Sequence, residues 1–230
     1  VKQTVKTYGI DVSHHQPSID WPTVAKELYK ANGNRKQGFC MVRAGYSKRT
    51  GKGGLVVDSS FYSHVKGCQD NGIPFGVYFY CYDESPAAAR VTAQAVVDLL
   101  KPYKPEYPVY YDVEYETYNT GCGKAANNAL IKAAMEVLEG AGYYAGVYCS
   151  RDFFQRYTDL AGLKAYDKWE AAYVKTDSAD VDNGIWQFSA KNALGLTGFG
   201  TSLDCDIAYK NYPYIIRKAG LNGWQKGEGL

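Results

Sequence analysis

The chain has 230 residues and a formal net charge of +2, from 26 Lys+Arg against 24 Asp+Glu, and 46% of its residues are hydrophobic. That near-neutral balance excludes a polybasic nucleic-acid or membrane-surface binder, and the apolar fraction excludes general disorder. No apolar run approaches the ~18 residues of a membrane-spanning helix, and Val1-Lys2-Gln3-Thr4 opens no apolar signal core. The expectation is a soluble domain, with any export signal outside the chain.

Tyr8 to Val12 reads as a short strand, and Ile19 to Ala31 as a helix opened by Asp20 ahead of Trp21-Pro22. Gly38 to Ala44 is a second strand. Phe61 to Gln69 reads as a helix stopped by Asn71-Gly72, and Phe75 to Tyr82 alternates as a third strand. Ser85-Pro86 opens a helix through Leu100, and Pro108 to Tyr115 is a fourth strand. Lys124 to Leu138 is an alanine-rich helix closed by Gly140 and Gly142, and Tyr143 to Cys149 is a fifth strand. This alternation argues for parallel strands joined by right-handed crossovers. After a short helix at Arg151 to Tyr157 the rhythm changes. Lys168 to Tyr173, Gly184 to Phe188 and Leu203 to Ala208 are strand-like, with no long amphipathic helix between them. The whole predicts an α/β barrel whose second half has lost most of its outer helices. Residues 1–219 would form the barrel. Residues 220–230, rich in Gly and charge, read as a tail or the start of a linker to a module absent from this chain.

Six cysteines, at 40, 68, 81, 122, 149 and 205, are too sparse for a disulfide scaffold and contain no Cys-x-x-Cys pair. Cys40, Cys81, Cys149 and Cys205 lie in apolar runs and read as packing residues, while Cys68 and Cys122 stay open to pairing. His14-His15 has only His64 as a further histidine, too few ligands for a barrel metal site, so no metal or cofactor is expected. His14 and His15 read better as loop structure or substrate contacts. A Gly-x-Ser-x-Gly nucleophile motif is missing.

Carboxylates carry the strongest chemical signal. In Tyr110-Tyr111-Asp112-Val113-Glu114, alternation puts Asp112 and Glu114 on one face, about two strand rises apart, where each charge raises the other's proton affinity. A solvated strand end would show the same pattern, but Pro108, Val109 and Val113 make the surroundings apolar. Asp11 ends the first strand, and Asp204 and Asp206 lie in the last. First and last strands are neighbours in a closed barrel, so these acids can converge with the pair. The 22 tyrosines, against 8 Phe and 4 Trp, hint at a polar, ring-shaped ligand, though tyrosine is also a common strand former.

Seven short segments occur in order: Tyr8-Gly-Ile-Asp11-Val-Ser-His14-His15-Gln, Val42-Arg43-Ala-Gly-Tyr46, Gly76-Val-Tyr78, Asp112-Val-Glu114, Gly146-Val-Tyr148, Trp186-Gln187-Phe188 and Leu203-Asp204-Cys-Asp206. Together they resemble glycoside hydrolase family 25, the Chalaropsis-type lysozymes of bacteria, phages and fungi, over about Tyr8 to Tyr209. The resemblance implies an irregular TIM-like barrel of five β/α units followed by three strands. It also implies hydrolysis of the β-1,4 bond between N-acetylmuramic acid and N-acetylglucosamine in bacterial peptidoglycan, outside the cell or in its wall. Carried over motif by motif, Glu114 is the general acid and Asp112 the ionised partner that stabilises a positive intermediate, either by direct attack or through the substrate's 2-acetamido group. Asp11 and Asp204 would hold substrate and tune the pair, with Asp206 deeper or supporting. Tyr46, Tyr78, Tyr80, Tyr148, Tyr173 and Gln187 are the expected substrate contacts. The competing readings are a catalytically silent wall-binding barrel and a chitin-type glycosidase.

Overall fold

In the computed structural model, described for residues 6–177 and 181–230, the strands expected from the alternating pattern close into a mixed eight-stranded barrel. The strands are β1 (Thr7–Val12), β2 (Phe39–Ser47), β3 (Leu55–Val57), β4 (Phe75–Tyr80), β5 (Val109–Asp112), β6 (Ala145–Ser150), β7 (Asp167–Ala171), β8 (Ile185–Ser189) and β9 (Asp204–Ala208). Their order is β1-β9-β8-β7-β6-β5-β4-β2, closed by β1 on β2, and β3 hangs outside as a hairpin partner of β2. Every barrel pairing is parallel except those of β9, which runs against both β8 and β1. The reason is the connection: residues 190–203 return over the rim with no helix to carry the chain back to the barrel floor, so β9 descends.

The first half is clothed by α1 (Trp21–Ala31), α2 (Phe61–Asp70), α3 (Pro86–Leu100) and α5 (Lys124–Gly140), with short helices α4 (Thr117–Gly121) and α6 (Arg151–Tyr157) on the rim. Helix starts follow local chemistry. The Asp20 carboxylate accepts from Thr23 N, the Ser85 hydroxyl from Ala88 N, and Pro22 and Pro86 stand in first turns where no N–H is needed. Outward strand residues such as Ile10, Val42, Val77 and Val147 join helix residues such as Leu28, Val65 and Leu138 in one core.

Inside the barrel, Phe39, Met41, Tyr110, Trp169 and Ile185 fill the lower half. Glycines on neighbouring strands make room for the rings. A Cβ on Gly9 would lie 2.5 Å from the Phe39 ring, and one on Gly146 would lie 2.4 Å from that of Tyr110. The floor is closed by α7 (Tyr212–Ala219), a helix the sequence reading does not contain. The segment beyond it, expected as a tail or the start of a linker, makes contacts with the barrel base. Asn222 is fully buried, donates to the carbonyls of Pro105 and Tyr107, and accepts from Tyr144 N, while Arg217 stacks over Trp224 at 4.1 Å. Residues 220–230 belong to the barrel base because the backbone ends there need partners that this segment supplies. All six cysteines are free thiols, with Cys68 in the helix-side core rather than paired.

Candidate active site

Register places the acids. Across the antiparallel β1–β9 pair, Asp11 faces Asp204 and Gly9 faces Asp206, and across β8–β9, Gln187 faces Asp206. Residues directly opposite share a sheet face, so three carboxyls and one amide crowd a single inward patch. On the facing wall, β5 presents Asp112 between Tyr80 of β4 and Tyr148 of β6. The strand stops at Asp112, and a turn closed by Glu116 N to the Glu114 carbonyl follows, yet Glu114 still enters the same cavity. That cavity, about 230 Å³ at the strands' C-terminal mouth, is lined by Asp11, Tyr78, Asp112, Glu114, Tyr148, Trp169, Tyr173, Gln187 and Asp204.

One network holds these groups in place. Gln187 Nε2 donates to Asp11 Oδ2 at 2.8 Å, and its Oε1 accepts from Tyr148 at 3.0 Å and from Tyr173 at 2.9 Å. Trp169 Nε1 donates to Asp206 Oδ1 at 2.8 Å, and its indole meets the Tyr148 ring edge-on at 4.6 Å between centroids. Asp206 is wholly buried and its second oxygen has no donor; Asp112 is 3% exposed, and its Oδ1 likewise lacks one.

Five carboxyls with so few donors cannot all be ionised. Burial, the largest cause, pushes Asp11, Asp112 and Asp206 well above the carboxylate range, and Asp204 and Asp206 add like charge at Asp11. Asp204 is pushed up to about 6, again by burial. Glu114 is raised by burial, partly offset by its hydrogen bond with Asp112, and further raised by the charges of Glu116 and Asp204. At Asp112 the Glu114 charge is the second upward cause, and Arg43 opposes it. Asp112 and Glu114 thus titrate together, each with its proton affinity raised by burial. Such an arrangement can deliver a proton at one point and a hydrogen-bond acceptor beside it.

The other residues singled out in the sequence lie around this cavity. Tyr78, Tyr148, Tyr173 and Gln187 line it. Tyr80, beside Asp112 across the β4–β5 pair, is outside the cavity lining, and its hydroxyl donates to Glu116 Oε1 at 3.0 Å. Tyr46 lies beyond, edge-on to Tyr82 at 5.9 Å, outside the cavity lining. Gln187 has both functional ends engaged within the protein, which makes it a strut of the site. His14 contacts Arg43 and, at 3.3 Å, Asp58; Asp58 also takes Arg43 Nε at 2.6 Å, and His15 stacks on His14. Among the described residues no group of three or more His, Cys, Asp or Glu is placed to hold a metal ion.

Residues 10–195 match the family model described as glycosyl hydrolases family 25. The chain belongs to that family. Among curated proteins it is 29% identical over 206 residues to the uncharacterized protein YegX of Escherichia coli O157:H7, covering 87% of this chain and 68% of that one. Among solved structures, the modular autolysin LytC of Streptococcus pneumoniae superposes with a TM-score of 0.72 at 26% identity, over 90% of this chain and 47% of that one. The chain therefore spans about half the length of that modular protein. A lysozyme from Streptomyces coelicolor, 18% identical over 94% of this chain and 98% of its own, gives a TM-score of 0.70 and a likeness of fold.

Within this family 25 barrel the sequence reading missed Trp169 and Arg43. Trp169 was legible by parity, since alternation in the strand Lys168 to Tyr173 puts it opposite Lys168 and Glu170, on the inner face. Arg43 carried no such signal. It stands beside Tyr78 on the β2–β4 pair, one strand removed from β5, and its charge acts on Asp112 from there.

Proposed function

We propose that this chain is an N-acetylmuramidase that cuts the β-1,4 bond between N-acetylmuramic acid and N-acetylglucosamine in bacterial peptidoglycan, with retention, using the substrate's own 2-acetamido group as nucleophile. One observation carries the choice of route: Asp112, at the end of β5, and Glu114, two residues on, enter the same cavity from the same wall. A retaining enzyme with a carboxylate nucleophile holds its two carboxyls ~5–5.5 Å apart on opposite faces of the sugar, and an inverting one holds them ~6.5–9.5 Å apart. A pair on one wall lies on one side of the ring, so attack from the other side falls to the acetamido oxygen.

Glu114 gives its proton to the glycosidic oxygen as the C1–O bond breaks, and the acetamido carbonyl oxygen bonds to C1 to form an oxazolinium ion. Asp112 accepts the acetamido N–H and stabilises the positive ring. Glu114, now ionised, takes a proton from water as that water attacks C1 and opens the ring, so two inversions give net retention. Asp11 and Asp204, across the cavity, hold sugar hydroxyls and keep the pair's proton affinity high. Tyr78, Tyr148, Tyr173 and Trp169 offer ring faces and hydroxyls to the glycan. Action is at the cell wall, outside the cytoplasm. The likeness to an autolysin and to a lysozyme supports a wall substrate.

The test is mass spectrometry of products from defined peptidoglycan. Reducing-end muramic acid is expected; reducing-end glucosamine, or binding without cleavage, would overturn the reading. Glu114→Gln should lower kcat by at least ~10³-fold. De-N-acetylation at the cleaved muramic acid should stop turnover, and unchanged turnover would reject the acetamido route.

A further inference from the structure

The mouth of the barrel carries a cavity on either side of the catalytic one, and the two differ in charge. On the β2–β4–β5 side a cavity of about 230 Å³ is lined by Asp83, Glu84 and Glu116 against a single cation, Arg49, whose guanidinium lies on the Tyr82 ring at 3.8 Å. On the β7–β8 side a groove of about 520 Å³ is lined, among the described residues, by Tyr173, Val174, Lys175, Phe188, Ala190 and Lys191, with Ser189 between them and no acid. Among the described residues neither lysine ammonium is paired with a carboxylate. Val174 is 47% exposed, a surface β-branched residue beside a half-buried Phe188. Tyr173 is the wall shared by this groove and the catalytic cavity.

We propose that this groove is the subsite for the peptide stem carried by the muramic acid, an anionic peptide of small apolar residues; the proposal rests on the muramidase reading above. Muramic acid carries that stem on a lactyl ether, so in the bound substrate the stem must leave the cleft near the cleaved sugar. Free carboxylates cannot lie among Asp11, Asp112, Glu114 and Asp204, and the acidic neighbouring cavity repels them too. The way over Tyr173 meets two unpaired ammonium groups and an apolar floor, which matches carboxylates and small methyl-bearing side chains. Tyr173, fixed to Gln187 through its hydroxyl, then separates glycan from peptide.

The experiment compares a glycan oligomer bearing its stems with the same oligomer stripped of them by an amidase, using wild type and the double variant K175E/K191E. Wild type is expected to cut the stem-bearing oligomer with the lower KM. The double variant should raise KM for that oligomer by roughly 10-fold at low ionic strength and less in high salt, leaving kcat and all constants for the stripped oligomer unchanged. Equal effects on both oligomers, or none on either, would overturn the proposal while leaving the muramidase reading intact. A change in oligomeric state by size exclusion, without a stem-dependent KM, would also overturn it, because the groove would then be a self-association face. Wild type that cuts neither oligomer would remove the muramidase reading and this proposal together.

Discussion

The two sides of the barrel bury the outer faces of their strands in different ways. From β1 to β6 the outward Ile10, Val42, Val77, Phe79 and Val147 pack beneath amphipathic helices in one continuous core. From β7 to β9 no helix covers the sheet; outward Trp186 and Ile207 pack with Tyr209, Tyr8, Ala172 and Phe188 in a separate cluster, pinned by Trp186 Nε1 donating to the Ala172 carbonyl at 2.8 Å. Chemistry follows the same division. Asp112, at the end of β5, and Glu114, just beyond it, stand on the helix-clothed side. The strand-only side supplies Trp169, Tyr173, Gln187, Asp204 and Asp206, which hold the site and adjust its charge. The acid proposed to transfer the proton thus falls on the helix-clothed side, while the side freed of helices opens as the groove lined by Lys175 and Lys191.

Gln187 is where the two sides meet, because it reaches Asp11 of β1 and Tyr148 of β6 as well as Tyr173. Gln187→Ala should therefore cost about 10²-fold in kcat/KM, as three hydrogen bonds of ~1 kcal/mol each are lost and Asp11 is left without its donor. Gln187→Glu should be worse, since it puts another carboxyl beside Asp206. Steady-state kinetics decide it; a loss of under threefold for Gln187→Ala would mean that the two sides work independently.

The next effect is on stability, and it depends on pH. Asp204 binds its proton more tightly in the folded protein, about 6 against the ordinary 3.8, so its contribution favours folding at low pH and is lost as pH rises through 6. Asp204→Asn removes that penalty. It should stabilise the protein by about 3 kcal/mol at pH 8, several degrees in Tm for a chain of this size, and by almost nothing below about pH 3. Thermal melts at both pH values check the sign. The same substitution on the outer, exposed Asp98, which is held low by Lys101, should show no such gain.

Period and capping made most of the barrel readable. Strand alternation marked eight strands, and Asp20, Ser85 and the glycines after α5 marked helix ends. Parity brought Asp112 together with Glu114, and barrel closure brought Asp11 to Asp204, because both depend only on local spacing and on which strands are neighbours. Three things escaped. The direction of β9 depends on the path of a loop, and β3 pairs over only three residues. The signals of α7 were present, with the Asn211 side chain capping Tyr214 N and Gly220 at a positive φ of 71°, but a short helix with a charged face stays unassigned until the barrel floor it closes is known. Depth along a strand is the third. Tyr78 and Tyr80 share parity on β4, and only the position of Glu116 in a following turn sends the Tyr80 hydroxyl out of the cavity.

That last distinction yields the smallest of the expected effects, and it separates the tyrosines of the site from those of its surroundings. Tyr148→Phe deletes the hydroxyl that Gln187 accepts and should lower kcat/KM by about 2- to 10-fold, the worth of one partly buried hydrogen bond. Tyr46→Phe removes a hydroxyl outside the cavity lining, from a ring held only by its edge against Tyr82, and should change kcat/KM by less than about twofold. Kinetics of the two variants on the same glycan measure the contrast. Equal losses would mean that the glycan extends across the β2–β4 rim to Tyr46, so that the acidic flanking cavity also holds substrate. A loss at Tyr148 alone confines the sugar contacts to the cavity between the two sides of the barrel, which is where the acids are.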